Sequence, residues 1–205
     1  MKTTQHISKK IIHYLEKNSI IDPTIKDIYI YCIDFTLDLI FFNISLLLLG
    51  CLLHEPFMAL LYIVTMTPLK MICGGAHAST QTLCSIISYF LFFSSILFSI
   101  YIESVLQFHV PKTTIFILCI ISIIAHTPVD TPNKRYMPSQ KAKLKLFSGI
   151  YCTMLFIIFI ILKECFHEKY CSIILIDLII IAINQYIGII INRKEDSYES
   201  ENSHL

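Results

Sequence analysis

A histidine and a cysteine lie close together just after a pair of glycines: His77 and Cys84 follow the glycines at 74–75. An imidazole beside a thiol can act as the general base of a cysteine nucleophile. On one continuous helix the two side chains would share a face but stand about 10 Å apart along the axis, too far for a hydrogen bond. Because glycine tolerates conformations that end a helix, we expect a new helix to begin near Ser79 or Thr80. His77 would then fold back over the turns that carry Cys84.

The composition of the chain places these residues in a membrane protein. Hydrophobic residues make up 55% of the 205, and the mean hydropathy is +0.68. Crossing the hydrocarbon core takes roughly 20 apolar residues. Six stretches are candidate spans, at about 31–53, 56–72, 81–102, 113–129, 146–162 and 170–191. The second and fourth are short and contain prolines, so five full spans plus one re-entrant segment is the alternative.

The predicted fold is an all-α polytopic membrane protein with about six transmembrane helices and an N-terminal amphipathic helix. Residues 1–30 place isoleucines and a leucine at helical spacing opposite charged residues. Such a helix lies in the membrane interface or packs on the cytoplasmic face of the bundle. Residues 31–191 form a single transmembrane domain that carries the His–Cys pair. Residues 192–205 are predicted to be a disordered, acidic cytoplasmic tail.

Basic residues near the span ends predict the orientation in the membrane. Lysines precede the first span, a basic loop separates the fourth span from the fifth, and Arg193 and Lys194 follow the last. Six spans place all three groups on one side, which the positive-inside rule makes cytoplasmic. Both termini and the His–Cys pair would face that side. The basic loop residues, whose simplest role is topology and contact with anionic lipid, are Lys134, Arg135, Lys141, Lys143 and Lys145.

Two other classes of protein are alternatives to a cysteine enzyme. A transporter or channel is the first and would explain polar residues within spans, but the chain shows no duplicated half and no paired broken helices. A metal-binding membrane protein is the second, and Cys73 is the only obvious third ligand beside His77 and Cys84. The eight cysteines lie mostly within spans, where cysteine acts as a small hydrophobe, and structural zinc spacings are missing. The sequence therefore predicts no disulfide framework, no metal and no cofactor.

Two motifs together support a resemblance to a known family. The run Gly74-Gly75-Ala76-His77-Ala78, followed by Cys84 in a six-span chain, resembles the AgrB family. These accessory gene regulator B proteins are membrane cysteine endopeptidases of bacterial peptide quorum sensing. The run Pro128-Val129-Asp130-Thr131-Pro132-Asn133-Lys134 is similar to the family's Pro-Val-Asp…Asn segment. The chain departs from the pattern with Lys70 where the family has an arginine, and with the additional thiol of Cys73.

The resemblance implies a substrate, a reaction and a location. The substrate would be a short precursor peptide of the AgrD type, whose C-terminal tail is removed and whose new carboxyl group is cyclised onto an internal cysteine or serine. Cys84, deprotonated by His77, would form an acyl-enzyme thioester that the precursor's own nucleophile then displaces. The enzyme would lie in the bacterial cell membrane. The resemblance is also compatible with a homodimer. The basic loop would attract the precursor's acidic tail, and nucleic acid is not an expected partner.

An acid or amide that orients the His77 imidazole would complete the arrangement, and three carboxylates are the main candidates. Asp34 and Asp38 share a face of the first span, and a carboxylate within a span is a functional-site hypothesis by default. Asp130 lies at the end of the fourth span. Pairing of the first two with lysines, or a turn cap formed by Asp130 with Asn133, would explain these residues equally well.

Polar residues at the start of the third span and within the sixth complete the set of candidates. Ser79, Thr80 and Gln81 could supply donors that stabilise an oxyanion, through side chains or through N–H groups at the helix start. Helix capping alone would also explain Ser79 or Thr80. The polar residues of the sixth span are expected to make interhelical hydrogen bonds. They are Asp177, Asn184 and Gln185.

Overall fold

The computed structural model describes five stretches of the chain, residues 2–17, 26–76, 80–105, 111–130 and 136–202. These stretches contain seven α-helices and no named strand, which confirms the all-α prediction. In chain order the helices are α1 (Lys2–Lys17), α2 (Lys26–Leu52), α3 (Pro56–Cys73), α4 (Gln81–Val105), α5 (Lys112–His126), α6 (Pro138–Cys165) and α7 (Glu168–Asn202).

Five of the described helices are long and apolar enough to cross a membrane: α2, α3, α4, α6 and α7. The fourth predicted span is the exception, because α5 has only 15 residues. At 1.5 Å per residue it rises about 22 Å, less than the roughly 30 Å of a hydrocarbon core. Helix α5 stops at His126 because Pro128 excludes the helical conformation from the residue before it. Thr127 is accordingly extended, with φ −77° and ψ 138°.

The first of two compact units, Met1–Pro56, contains α1 and α2 packed against each other. Ser8 and Ile12 lie one turn apart on α1 and are buried. Lys26, at the start of α2, donates a hydrogen bond to Glu16 near the end of α1 at 2.6 Å. The helix predicted from the N-terminal isoleucine spacing is therefore confirmed, and its isoleucine-bearing face includes the buried Ile12.

The second unit, Phe57–Leu205, is built around α7, which packs against α4, α5 and α6. Residues 171–178 of α7 are all buried. A helix that is buried all round must be surrounded by other elements, and α4, α5 and α6 surround this run. The centre of the unit therefore lies along α7.

Helix α3 is fastened to α4 and α6 by aromatic side chains. The Tyr62 hydroxyl donates to the Ser88 carbonyl of α4 at 3.3 Å, and its ring meets Phe92 edge to face at 5.1 Å. Tyr151 of α6 donates to the carbonyl of Val64. These contacts hold the middle of α3 beside α4 and α6.

Two of the three polar residues of α7, Asp177 and Gln185, form the expected interhelical hydrogen bonds. Ser95 of α4 donates to Asp177 at 2.8 Å, and both side chains are fully buried. Gln185 donates to Thr127 at 3.0 Å, just after α5. Buried polar groups need such partners, because water is not available to replace them. The two bonds fix how α7 is rotated against its neighbours.

The end of α7 differs from the expectation of a disordered tail at 192–205. The backbone stays helical through Asn202. No glycine or proline occurs between Arg193 and Asn202, so nothing in the sequence breaks the helix as it leaves the apolar part of α7. Strong charge predicts exposure here, but it does not by itself end a helix, since glutamate and lysine are good helix formers.

Candidate functional site

The chain leaves α3 through a turn that only glycine adopts readily. Helix α3 ends at Cys73, and the next two residues have positive φ, +69° at Gly74 and +130° at Gly75. These conformations are strained for residues that carry a Cβ. The helix break predicted from the glycine pair is therefore present, and the turn delivers the chain directly to position 77.

One side of the turn is paired with the segment that follows α5. Gly74 and Val129 form an isolated parallel bridge, in which the Val129 N–H donates to the carbonyl of Cys73 at 2.9 Å. A Cβ on Gly74 would lie 2.5 Å from the Val129 carbonyl oxygen. The Gly74-Gly75 motif and the Pro128-Val129-Asp130 motif are thus in direct backbone contact, although they lie far apart along the chain.

The other side of the turn rests on α7. The Ala76 N–H donates to the carbonyl of Asn184 at 3.3 Å. The Asn184 amide fills the space that a Cβ on Gly75 would need, and Gly188 lies against the same backbone one turn further along α7. The glycine turn is therefore held from both sides, by the segment after α5 and by α7.

Side chains from α7 also fix the segment after α5. The Gln185 amide donates to Thr127 Oγ1 at 3.0 Å and to the carbonyl of Ile123 at 3.4 Å. Asn192, two turns further along, donates to the carbonyl of Asp130. The peptide bond between Thr127 and Pro128 is cis. One face of α7 thus contacts both the glycine turn and the segment after α5.

Asp130, one of the three candidate orienting acids, has partners on both carboxylate oxygens. One oxygen forms an ion pair with Lys141, and the other accepts the Tyr136 N–H at 3.1 Å. These bonds tie the segment after α5 to the start of α6. Orientation of His77 by Asp130 stays a prediction, and Asn133, its expected turn partner, lies outside the described residues.

Cys84 lies in the first turn of α4, at the depth in the helix that the sequence predicts. The Thr80 hydroxyl accepts the Leu83 N–H at 3.2 Å, and the Thr80 carbonyl accepts the Cys84 N–H at 3.0 Å. This is the bonding of an N-cap residue, so capping by Thr80 is confirmed. Cys84 is a free, half-buried thiol. The start of the helix also directs its remaining N–H groups towards this end of α4.

A positive charge lies one turn further along α4 from Cys84. Lys70, near the end of α3, donates to the Ser88 hydroxyl at 3.2 Å. Cys84 and Ser88 are four residues apart, so they share a face of α4 and lie about 6 Å apart along its axis. The Lys70 ammonium is therefore directed towards the helical face that carries Cys84.

Several predicted site residues remain untested. His77, Ser79, Lys134 and Arg135 lie outside the described residues, as does the Gln81 side chain, so the approach of His77 to Cys84 stays a prediction. Lys143 and Lys145 are exposed on α6. Asp34 and Asp38 belong to the first unit, where Asp34 Oδ1 is buried with no hydrogen-bond partner among the described residues. Among those residues no three His, Cys, Asp or Glu side chains form a metal-binding group.

The sequence does not indicate the role of Gly188 in this site. Gly188 contacts the glycine turn, and the only signal for it is a lone glycine within a predicted span. Small residues mark close approaches between transmembrane helices, but the sequence does not say which segment approaches.

A comparison with known families identifies the chain. The family model for accessory gene regulator B, AgrB, matches residues 8–189. The chain belongs to the AgrB family. No curated protein and no solved structure matches it. Membership makes it a membrane-embedded quorum-sensing protein that takes part in processing an autoinducer peptide, and implies a precursor substrate of the AgrD type. The match spans the glycine turn, Cys84 and the segment after α5 that the AgrB resemblance rests on.

Proposed function

We propose that this AgrB protein is a cysteine endopeptidase that removes the C-terminal tail of an AgrD-type precursor and permits its cyclisation to a thiolactone or lactone. One observation carries the proposal. The glycine turn at 74–75, fixed by Val129 and Asn184, leads directly to His77, while Cys84 sits at the capped start of the next helix. The described residues on either side of the short connection between this base and this nucleophile are held in place, which supports a pairing of the two.

The reaction has two acyl transfers. The Cys84 sulfur attacks the scissile carbonyl, its proton passes to His77, and the amine of the departing tail takes that proton as the C–N bond breaks. The precursor then remains bound to Cys84 as a thioester. A thiol or hydroxyl of the precursor attacks this thioester, His77 accepts its proton, and the Cys84 thiolate leaves as the ring closes. Exclusion of water protects the thioester from hydrolysis.

Two features of the described structure favour negative charge at this end of α4. The helix start presents N–H groups and the positive end of the helix dipole, which stabilise a thiolate or an oxyanion within the first turn. The Lys70 ammonium, bonded to Ser88, adds a full positive charge one turn away. A thiolate is the reactive form of cysteine, so both features support Cys84 as the nucleophile.

We also propose which side of the membrane the site faces. When the short α5 is counted as a sixth span, the positive-inside rule favours a cytoplasmic face for both termini and the site. The basic loop would contact anionic lipid and attract an acidic precursor tail through its positive charge. Lys141 already pairs with Asp130, so Lys143 and Lys145, exposed on α6, are the described members best placed for these roles. A homodimer stays a prediction.

The test is the pH dependence of thiol alkylation by iodoacetamide, resolved residue by residue by mass spectrometry, on wild-type protein and His77→Ala. We expect Cys84 to react fast well below about pH 8.5, the ordinary pKa of a free thiol, and to lose that advantage without His77. Exposed Cys165 and buried Cys73 provide internal references in the same sample. Cys84 that reacts no faster than Cys165 in wild-type protein would contradict the proposal.

A further inference from the structure

Gly188 of α7 lies directly against the backbone of the glycine turn. A Cβ built on Gly188 would come within 2.9 Å of the Gly75 carbonyl carbon, 2.9 Å of the Ala76 nitrogen and 3.0 Å of the Gly75 Cα. Real Cβ atoms essentially never lie closer than 3.0 Å to another heavy atom, so all three distances are at or below the shortest contact that a Cβ tolerates. All three atoms belong to the backbone, so no side chain can rotate out of the way. Any larger residue at 188 must therefore displace the turn from α7.

Asn184 holds the same turn from the preceding turn of α7. Its carbonyl accepts the Ala76 N–H at 3.3 Å, and its amide occupies the space beside Gly75. Residues four apart on a helix share a face, so Asn184 and Gly188 form one continuous support, which we call the α7 platform. The peptide that lies on the platform, between Gly75 and Ala76, is separated from His77 by a single residue.

We infer that Asn184 and Gly188 are positioning residues that set the place of His77 against Cys84. This inference rests on the proposed function, in which His77 is the base. The platform is rigid because it belongs to the buried central helix, and Gln185 and Asn192 anchor the same helix to the segment after α5. Position matters because a shift of about 1 Å in a catalytic group can lower the rate about 100-fold.

The variant that tests the platform is Gly188→Ala, with Gly149→Ala as its matched control. Gly149 lies in α6, and a Cβ there would meet nothing within 4 Å. We expect Gly188→Ala to cleave an AgrD-type precursor about 10–100-fold more slowly. Its pH profile of Cys84 alkylation should move towards that of His77→Ala. Gly149→Ala should keep the wild-type rate and profile, because the added methyl group has room.

A second variant, Asn184→Ala, is needed if Gly188→Ala does not fold. It removes the amide that packs on Gly75 but leaves the carbonyl that accepts the Ala76 N–H. Nothing is inserted into the turn, so the fold has no clash to absorb. We expect a roughly 10-fold loss of cleavage and a smaller movement of the Cys84 alkylation profile in the same direction.

The outcomes separate the inference from the proposed function. If His77→Ala changes the Cys84 profile but Gly188→Ala and Asn184→Ala both keep the wild-type profile, the platform does not position His77 and the inference is wrong. If His77→Ala itself changes nothing, the proposed function fails instead. In the double variant, His77→Ala with Gly188→Ala, we expect no loss beyond that of His77→Ala. A further loss of cleavage would show that Gly188 acts on the fold rather than through His77.

Discussion

Replacing Ser95 by alanine should destabilise the protein measurably, although only one oxygen atom is removed. The Ser95 hydroxyl donates to Asp177 Oδ1 at 2.8 Å between two fully buried positions. Asp177 Oδ2 has no hydrogen-bond partner among the described residues. Ser95→Ala therefore leaves the whole carboxyl group of Asp177 without its one described donor, in the buried centre of the second unit.

The size of the effect follows from the cost of a buried polar group. Interhelical hydrogen bonds in membrane proteins average about 0.6 kcal/mol, with a maximum near 1.7. An unsatisfied buried group costs about 1–3 kcal/mol. Because Ser95 is the only described donor to Asp177, we place the loss at about 1.5–2 kcal/mol. For a chain of this size that lowers the melting temperature by about 3–8 °C.

Ser99→Ala is the matched control, because it makes the same substitution one turn further along α4. The Ser99 side chain is also fully buried, but its hydroxyl donates at 2.6 Å to the Ser95 carbonyl of its own helix. That carbonyl lies within the helical backbone of α4, so the Ser99 hydroxyl is only an additional donor to it and its loss leaves no buried group unpaired. Alanine is also the better helix former, which offsets the lost side-chain bond, so we expect Ser99→Ala to stay within about 0.5 kcal/mol of wild type.

The assay uses the protein's own buried cysteines. After exposed thiols are blocked with N-ethylmaleimide in detergent, heating exposes Cys73, Cys152 and Cys171, which are buried in the fold, to a fluorogenic maleimide. The double variant Ser95→Ala with Asp177→Leu should melt above Ser95→Ala alone, because removing both polar partners is nearly neutral. Equal melting temperatures for Ser95→Ala, Ser99→Ala and wild type would refute this reasoning.

Three further predictions concern the site itself. Gly74→Ala should slow precursor cleavage about 100-fold, since it strains a residue at φ +69° and puts a Cβ 2.5 Å from a carbonyl oxygen; cleavage at the rate of Gly149→Ala would contradict it. Thr80→Ala should lower stability by about 1 kcal/mol through loss of the helix cap, measured by thermal melting, while Thr80→Ser keeps it. Lys70→Gln should slow alkylation of Cys84 several-fold at low salt and Lys70→Arg should not; equal rates would exclude an electrostatic role.

The sequence predicts the helices well because their signals are local. Apolar runs locate α2, α3, α4, α6 and α7, and the glycine pair at 74–75 locates the break before Cys84. The short α5 follows from Pro128, whose effect on the preceding residue is also local. The helical backbone beyond Arg193 was not expected, since the acidic composition of this stretch suggested disorder, whereas helix propensity favours its continuation.

The contacts around the glycine turn could not be predicted, because they join segments far apart in the sequence. Val129 and Gly188 reach the turn only through the packing of α5 and α7. Asp130 was a candidate for orienting His77, and the structure gives it Lys141 and Tyr136 as partners. A single sequence shows which residues are polar or small, but not which of several possible partners each one meets.

The most direct test of the central claim is to look for a thioester between Cys84 and the precursor. Purified protein would be mixed with an AgrD-type peptide whose internal nucleophile is replaced by alanine, so that the ring cannot close. The masses of the intact protein and of its digestion peptides would then be measured by mass spectrometry. We predict an adduct whose mass is that of the tail-less precursor less one water, located on Cys84, released by hydroxylamine and strongly reduced in His77→Ala. Cleavage of the precursor by Cys84→Ala, or an adduct located on Cys73, would contradict it.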